Sequence, residues 1–175
     1  MKYLLRALLF AFFLLNVLTC DEKPKKPAPE IVEQTFPIPQ QKINVVSGSL
    51  VYVPAYARIF HYNDELTLSL VTTLAIHNTD PDHPLILRTI RYYSENGTLL
   101  KAIIKEPRIL APLATAIYHL VPEKPGAGIG ANAMVEWVSE YKIVKPIIEA
   151  IMVSRDGNMG VSFISPGYVV RDIGK

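Results

Sequence analysis

Cysteine is all but missing: the 175 residues contain one, Cys20. A lone cysteine excludes a disulfide framework and any cysteine-rich metal site. Charge is also sparse, at 19% of residues against 50% hydrophobic. That balance excludes an acidic or basic tail protein and a coiled coil. Nor does one sign dominate. The formal charge of +2 comes from Lys2 and Arg6, ahead of an apolar run, and the remaining basic and acidic residues balance. Such a surface offers no long-range attraction for nucleic acid, and no nucleic-acid partner is expected. The apolar run, residues 7–18 with one break at Asn16, is well short of the ~20 residues a spanning helix needs. H-E-x-x-H, G-x-S-x-G, the Walker lysine loop and C-x-x-C are all lacking, so no catalytic set and no cofactor is expected.

What is present first is an address. A cationic start followed by a short apolar core is the layout of a secretory signal. No A-x-A site follows it. Instead the chain reads Val17-Leu18-Thr19-Cys20, then Asp21-Glu22-Lys23. This resembles the lipobox of bacterial lipoproteins, in which a diacylglyceryl group joins the thiol before cleavage, although Thr19 stands where Gly, Ala or Ser is usual. Cys20 is therefore expected to be the lipidated N-terminus of the mature chain. Two or more acyl chains suffice for stable attachment, at about 0.8 kcal/mol per buried CH₂. The partner so implied is a bacterial membrane, with the domain in the periplasm or at the outer face of the cell envelope.

Residues 20–45 form an expected tether. Pro24, Pro27, Pro29, Pro37 and Pro39 alternate with charges and Gln, which favours extended polyproline II over helix. A plain spacer is the preferred reading, with docking of residues 31–46 as an edge strand the alternative. Residues 46–175 then read as one β domain. Leu66, Leu68, Leu70, Leu74 and Ile76 share one parity, the mark of a half-buried strand. Residues 85–93, 99–104, 114–121, 133–139, 147–154 and 160–164 are further strands. Asn96-Gly97 and Asp156-Gly157 are hairpin turns between them. With no helix after the signal, the expected fold is an all-β, antiparallel, immunoglobulin-like sandwich of about seven to eight strands.

Seven short motifs occur in one order: Tyr52-Val53-Pro54, Asn78-Thr79-Asp80-Pro81, Arg91-Tyr92-Tyr93, Glu106-Pro107, Gly130-Ala131-Asn132, Val135-Glu136-Trp137 and Glu149-Ala150. Together they resemble the bacterial envelope family known as domain of unknown function 3124, over residues 50–170. The resemblance implies an exported or lipid-anchored domain and no particular activity or catalytic residue.

The ligand-binding candidates are Asn132, Glu136, Glu149 and Arg91. A carboxylate within an apolar strand is costly unless paired or hydrogen-bonded. Were Glu136 and Glu149 on neighbouring strands and co-facial, their repulsion would raise a pKa and resemble an acid/base pair. The preferred reading is that each pairs with a basic strand residue, Arg88 and Arg91 being the obvious donors. His77, Asp80, Asp82 and His83 crowd one turn with ligand types that suit a divalent metal. The same residues read as an Asx-type, solvated turn, which is preferred, so no metal is expected. Residues 128–133 match G-x-G-x-x-A, yet the residues that follow alternate like a strand, so an inter-strand loop is expected in place of a dinucleotide site. Trp137 is expected in the core. Tyr92 and Tyr93 should point one in and one out, and exposed tyrosines could stack on sugars or a peptide.

The expected function is thus that of a membrane-anchored bacterial lipoprotein with a non-catalytic β-sandwich interaction or accessory domain. The alternative is a small-ligand or metal-binding envelope lipoprotein. The partner beyond the membrane would be an envelope protein or a small ligand.

Overall fold

Strands with one apolar and one polar face bury the apolar one by stacking sheet on sheet, and that is what these residues do. The computed structural model describes residues 35–37, 43–61, 63–120, 128–156 and 159–174. The expected signal, Cys20 and most of the expected tether lie outside the described residues. Among the described residues there is no helix, and thirteen strands carry the fold. They are β1 (Thr35–Pro37), β2 (Ser47–Pro54), β3 (Arg58–His61), β4 (Asn63–Ser69), β5 (Val71–His77), β6 (Leu85–Tyr93) and β7 (Leu99–Ala102). After these come β8 (Arg108–Leu110), β9 (Thr115–His119), β10 (Asn132–Ser139), β11 (Ile147–Asp156), β12 (Met159–Pro166) and β13 (Tyr168–Asp172).

The larger sheet has the order β1-β8-β6-β10-β2-β13, with β7 also paired to β6. The smaller has the order β12-β11-β5-β9, and β3 and β4 form a separate ribbon. Every pairing is antiparallel. One hydrophobic cluster draws on both main sheets: Val53, Leu87, Ile90, Tyr92, Val135 and Trp137 from the larger, Leu74, Ile76, Ile148, Ala150 and Met152 from the smaller. Full burial of such side chains is worth about 1.5–3 kcal/mol each. The fold is an antiparallel β-sandwich.

More strands form than the pattern suggests. The short strands β1, β3, β8 and β13 are too brief to show a period, whereas β7 falls within the expected 99–104. The leucine alternation over residues 66–76 is one parity but two strands. The chain breaks at Leu70, whose N–H donates to the Ala57 carbonyl at 2.9 Å. β4 on one side of the break pairs with β3, and β5 on the other joins the smaller sheet. Leu74 and Ile76 are fully buried while Leu66 is 54% exposed. The tether also departs from a plain spacer, because Thr35–Pro37 pairs with β8 as an edge strand. Between β12 and β13 the chain passes from one sheet to the other at Gly167. A Cβ there would lie 2.7 Å from Val51 Cγ1 and 2.8 Å from the Ile148 carbonyl oxygen, so only glycine fits the crossing.

Candidate functional site

Three of the four candidate residues share one surface. On β10, Ala133, Val135 and Trp137 face the core, which turns Asn132, Met134 and Glu136 outward on the larger sheet. Their cross-strand neighbours are outward too: Tyr93 beside Asn132, Arg91 beside Met134 and Thr89 beside Glu136 on β6. On the other flank lie Pro54, Tyr52 and Leu50 of β2, and Tyr168 of β13 sits opposite Tyr52. Arg91 and Tyr168 are exposed, while Tyr52, Tyr93 and Glu136 are half-buried. A register shift between Glu136 and Trp137 sets Arg88 in a bulge, and its Nη1 lies 2.9 Å from Glu136 Oε1. The surface so assembled offers rings for stacking, a cation, an amide and a carboxylate already held by a guanidinium.

Glu149 is elsewhere. On β11 the core positions are Ile148, Ala150 and Met152, so Glu149 faces out on the smaller sheet with Ile147, Ile151 and Val153. It approaches His77 Nε2 of β5 at 3.8 Å. Glu136 and Glu149 therefore belong to different sheets and cannot act as a carboxylate pair. Each does have a basic neighbour, but for Glu149 it is a histidine and not an arginine.

The face around Glu149 is unusual. Val71, Ile117, Ile147, Val153 and Ile164 are 46–58% exposed on it. Cross-strand register sets them in rows, Ile164–Ile151–Thr73–His119 and Pro166–Glu149–Ala75–Ile117 being the central two. Over the rows from Ile147 to Val153 its outward positions hold no lysine or arginine, and Glu149 is the sole carboxylate; Arg155, the next position of that parity, lies at the end of β11. Apolar residues on both parities of β11 hid this from the sequence, since either face could have been the buried one.

The His77–His83 segment does not gather its ligand types around one point. His77 Nδ1 lies 2.9 Å from Thr115 Oγ1, whereas the His83 ring lies 4.5 Å from that of Tyr141. Asp80 is occupied as an acceptor. Its Oδ1 receives the N–H groups of Asp82 at 3.0 Å and His83 at 2.8 Å, and its Oδ2 that of Val144 at 3.0 Å. These bonds, led by that from Asp82, hold the Asp80 carboxyl down at about 2. Asn78 is equally committed, its Nδ2 donating to the carbonyls of His83 and Ala111, both at 2.9 Å. The turn is Asx-like as expected but buried, with Asn78 and Asp80 only 2% and 6% exposed. It ties three segments of the chain together. Among the described residues no group of three or more His, Cys, Asp or Glu side chains is placed to hold a metal ion.

The glycine motif precedes a strand, β10, and so does not present the helix N-terminus a pyrophosphate needs. It is organised by Glu95, which sequence reasoning passed over. The Ile129 N–H donates to Glu95 Oε2 at 2.9 Å. Gly128, at φ +72°, leaves the carboxylate space that any Cβ would take. The only available signal was an acid in the Ser94–Gly97 turn, where side chains commonly bond backbone.

The described residues contain no helix long and apolar enough to cross a membrane. The family model described as "Protein of unknown function (DUF3124)" matches residues 48–170. No curated protein matches the chain. A solved structure with which it shares similarity is the crystal structure of Thermotoga maritima 1070. The identity is 12% and the TM-score 0.44, over 74% of this chain and 98% of that one.

Proposed function

The chain belongs to the DUF3124 family, and for it we propose the role of a membrane-anchored, non-catalytic interaction domain of the bacterial cell envelope. Cys20 carries the lipid, the proline-rich segment spaces the domain from the bilayer, and the sandwich presents a docking face. The observation that carries this reading is the outward face of the smaller sheet. Five large apolar side chains stand about half exposed there, around a single carboxylate. A domain surface ordinarily interleaves charges of both signs and avoids contiguous apolar area. Such a face is suited to contact with another macromolecule. The Val17–Lys23 sequence supports the anchor. Its test is fractionation of cells producing the full chain with Cys20→Ser. The variant should leave the membrane fraction or persist as uncleaved precursor, and normal maturation with full retention would overturn the anchor.

A second reading has its own support, in the shared surface of Asn132, Glu136 and Arg91 with Tyr52, Tyr93 and Tyr168. There the domain would bind a small ring-bearing ligand such as a sugar. A thermal-shift screen of the full chain against sugars, nucleotides and divalent metals tests it. Stabilisation that disappears in Arg91→Ala would favour this reading. A shift unchanged by Arg91→Ala and Glu136→Gln would reject the surface.

A further inference from the structure

We infer that the apolar outer face of the smaller sheet is covered by a second copy of this chain, packed sheet on sheet about a two-fold axis. The inference rests on the interaction reading above and names the partner. The chemistry of the face narrows the occupants first. A lipid surface is met by apolar side chains with lysine, arginine or tryptophan alongside, and the rows shared by β11 and β5 hold none of these, Arg155 lying beyond the last β5 pairing at Val153. A peptide added as a strand would engage the outer strands β9 and β12 at their edges, not the face. What fits a flat field of isoleucine and valine is another such field, stacked at ~10 Å.

The face is complementary to itself. The outward column of β11 is bulky: Ile147, Glu149, Ile151 and Val153. That of β5 is slighter in the middle: Val71, Thr73, Ala75 and His77. Ala75 forms a dip, 4% exposed between Glu149 and Ile117. A two-fold axis running along the strands, above the line between β11 and β5, lays the β11 column of one copy on the β5 column of the other. Ile151 then meets Thr73, Val153 meets Val71, and Glu149 enters the dip at Ala75, next to His77. Ile151 and Glu149 thus each find a smaller side chain, Val153 finds its equal, and each carboxylate brought into the contact has an imidazole beside it. Burying a charge without such a partner would oppose association.

The size is adequate for a modest contact. Four strands spaced by ~4.8 Å and about seven residues long at ~3.3 Å per residue make roughly 400 Å² of flat area per copy. Side-chain relief adds to this, bringing the pair near the lower end, about 1,200 Å², of specific interfaces. Two chains held on one membrane would need no stronger contact, because tethering raises their effective concentration.

The test is site-specific photo-crosslinking of the full chain in cells, with the crosslinking residue at Ile151 or Ile164 and, as control, at Tyr168 on the other sheet. The expected result is an adduct of twice the chain's mass from the first two positions, containing only peptides of this chain by mass spectrometry, and none from the third. Val153→Asp should reduce that adduct at least ten-fold while leaving the melting temperature within a few degrees. An adduct with a different protein or with lipid would overturn the second copy and leave the interaction reading standing. No adduct of any kind from either position would overturn both.

Discussion

Glu136 and Glu149 stand back to back through the sandwich, one on each outer face. The first is held by Arg88 at 2.9 Å and the second is near His77 at 3.8 Å. Each carboxylate therefore depends on its own sheet alone. The Arg88–Glu136 pair is partly open to solvent, with side chains 42% and 21% exposed. Pairs of this kind are worth about 1 kcal/mol or less. Glu136→Gln and Arg88→Ala should each lower the melting temperature by only a few degrees. In a double-mutant cycle the coupling between them should stay near or under ~1 kcal/mol. Thermal melts of the four proteins supply the measurement, and a coupling several times larger would show that the pair sits in a drier site than the geometry indicates.

Asp80 should give the domain an acid-sensitive step. Its three backbone N–H donors stabilise the ionised form, and the carboxyl is lowered from 3.8 to about 2. A carboxylate with a depressed folded pKa contributes stability fully above its unfolded value, and that contribution disappears as pH falls through the folded one. The contribution is thus complete above about pH 4 and fades towards pH 2. Asp80→Asn should be destabilised at neutral pH, and the gap from the parent should close on acidification. Denaturant titrations at pH 6, 4 and 2.5 decide it; a gap independent of pH would mean that the charge is immaterial. Asp172 is lowered in the same sense, first by the Ser49 hydroxyl and then by Lys145, so Asp80→Asn should retain a smaller acid dependence of its own.

Leu113 carries backbone strain that glycine would relieve. It sits at φ +57° in the loop before β9, where a Cβ crowds the following carbonyl at a cost of roughly 1–2 kcal/mol. Its side chain is 69% exposed, so little burial is lost on removing it. Leu113→Gly should therefore stabilise the protein by up to ~1 kcal/mol once the greater freedom of the unfolded glycine is counted. A denaturant midpoint that falls would reveal that the leucine makes a contact its exposure does not suggest.

The sequence disclosed the parts of this fold that repeat a local rule. β6 runs from Leu85 to Tyr93 as expected, Gly97 turns the β6–β7 hairpin at φ +74°, Trp137 is 2% exposed and Tyr92 fully buried beside a half-buried Tyr93. Long-range choices were not legible. Nothing local distinguishes Ile147, Ile151 and Val153 from Ile148 and Met152, so which face of β11 is covered depends on the sheet behind it. Nor could Glu136 and Glu149 be assigned to separate sheets before the strand order was known. Asp80 was correctly read as a turn residue, but the bond it accepts from the Val144 N–H, 64 positions away, had no local signal. The surface shared by Asn132, Glu136 and Arg91 was half visible, since period two aligns the first pair while only the β6–β10 register adds the third.

β2 is held between β10 and β13, and the hydroxyl of Ser49 reaches the Asp172 carboxylate 123 positions along the chain. Assembly therefore has an order in time. A chain released N-terminus first carries β2 without β10 until Ser139 and without β13 until Asp172, and such distant pairings form slowly. β2 cannot pair progressively behind the emerging chain, as β6 can with β7 and β8. The delay leaves one flank of β2 open until β13, the last strand among the described residues, closes it.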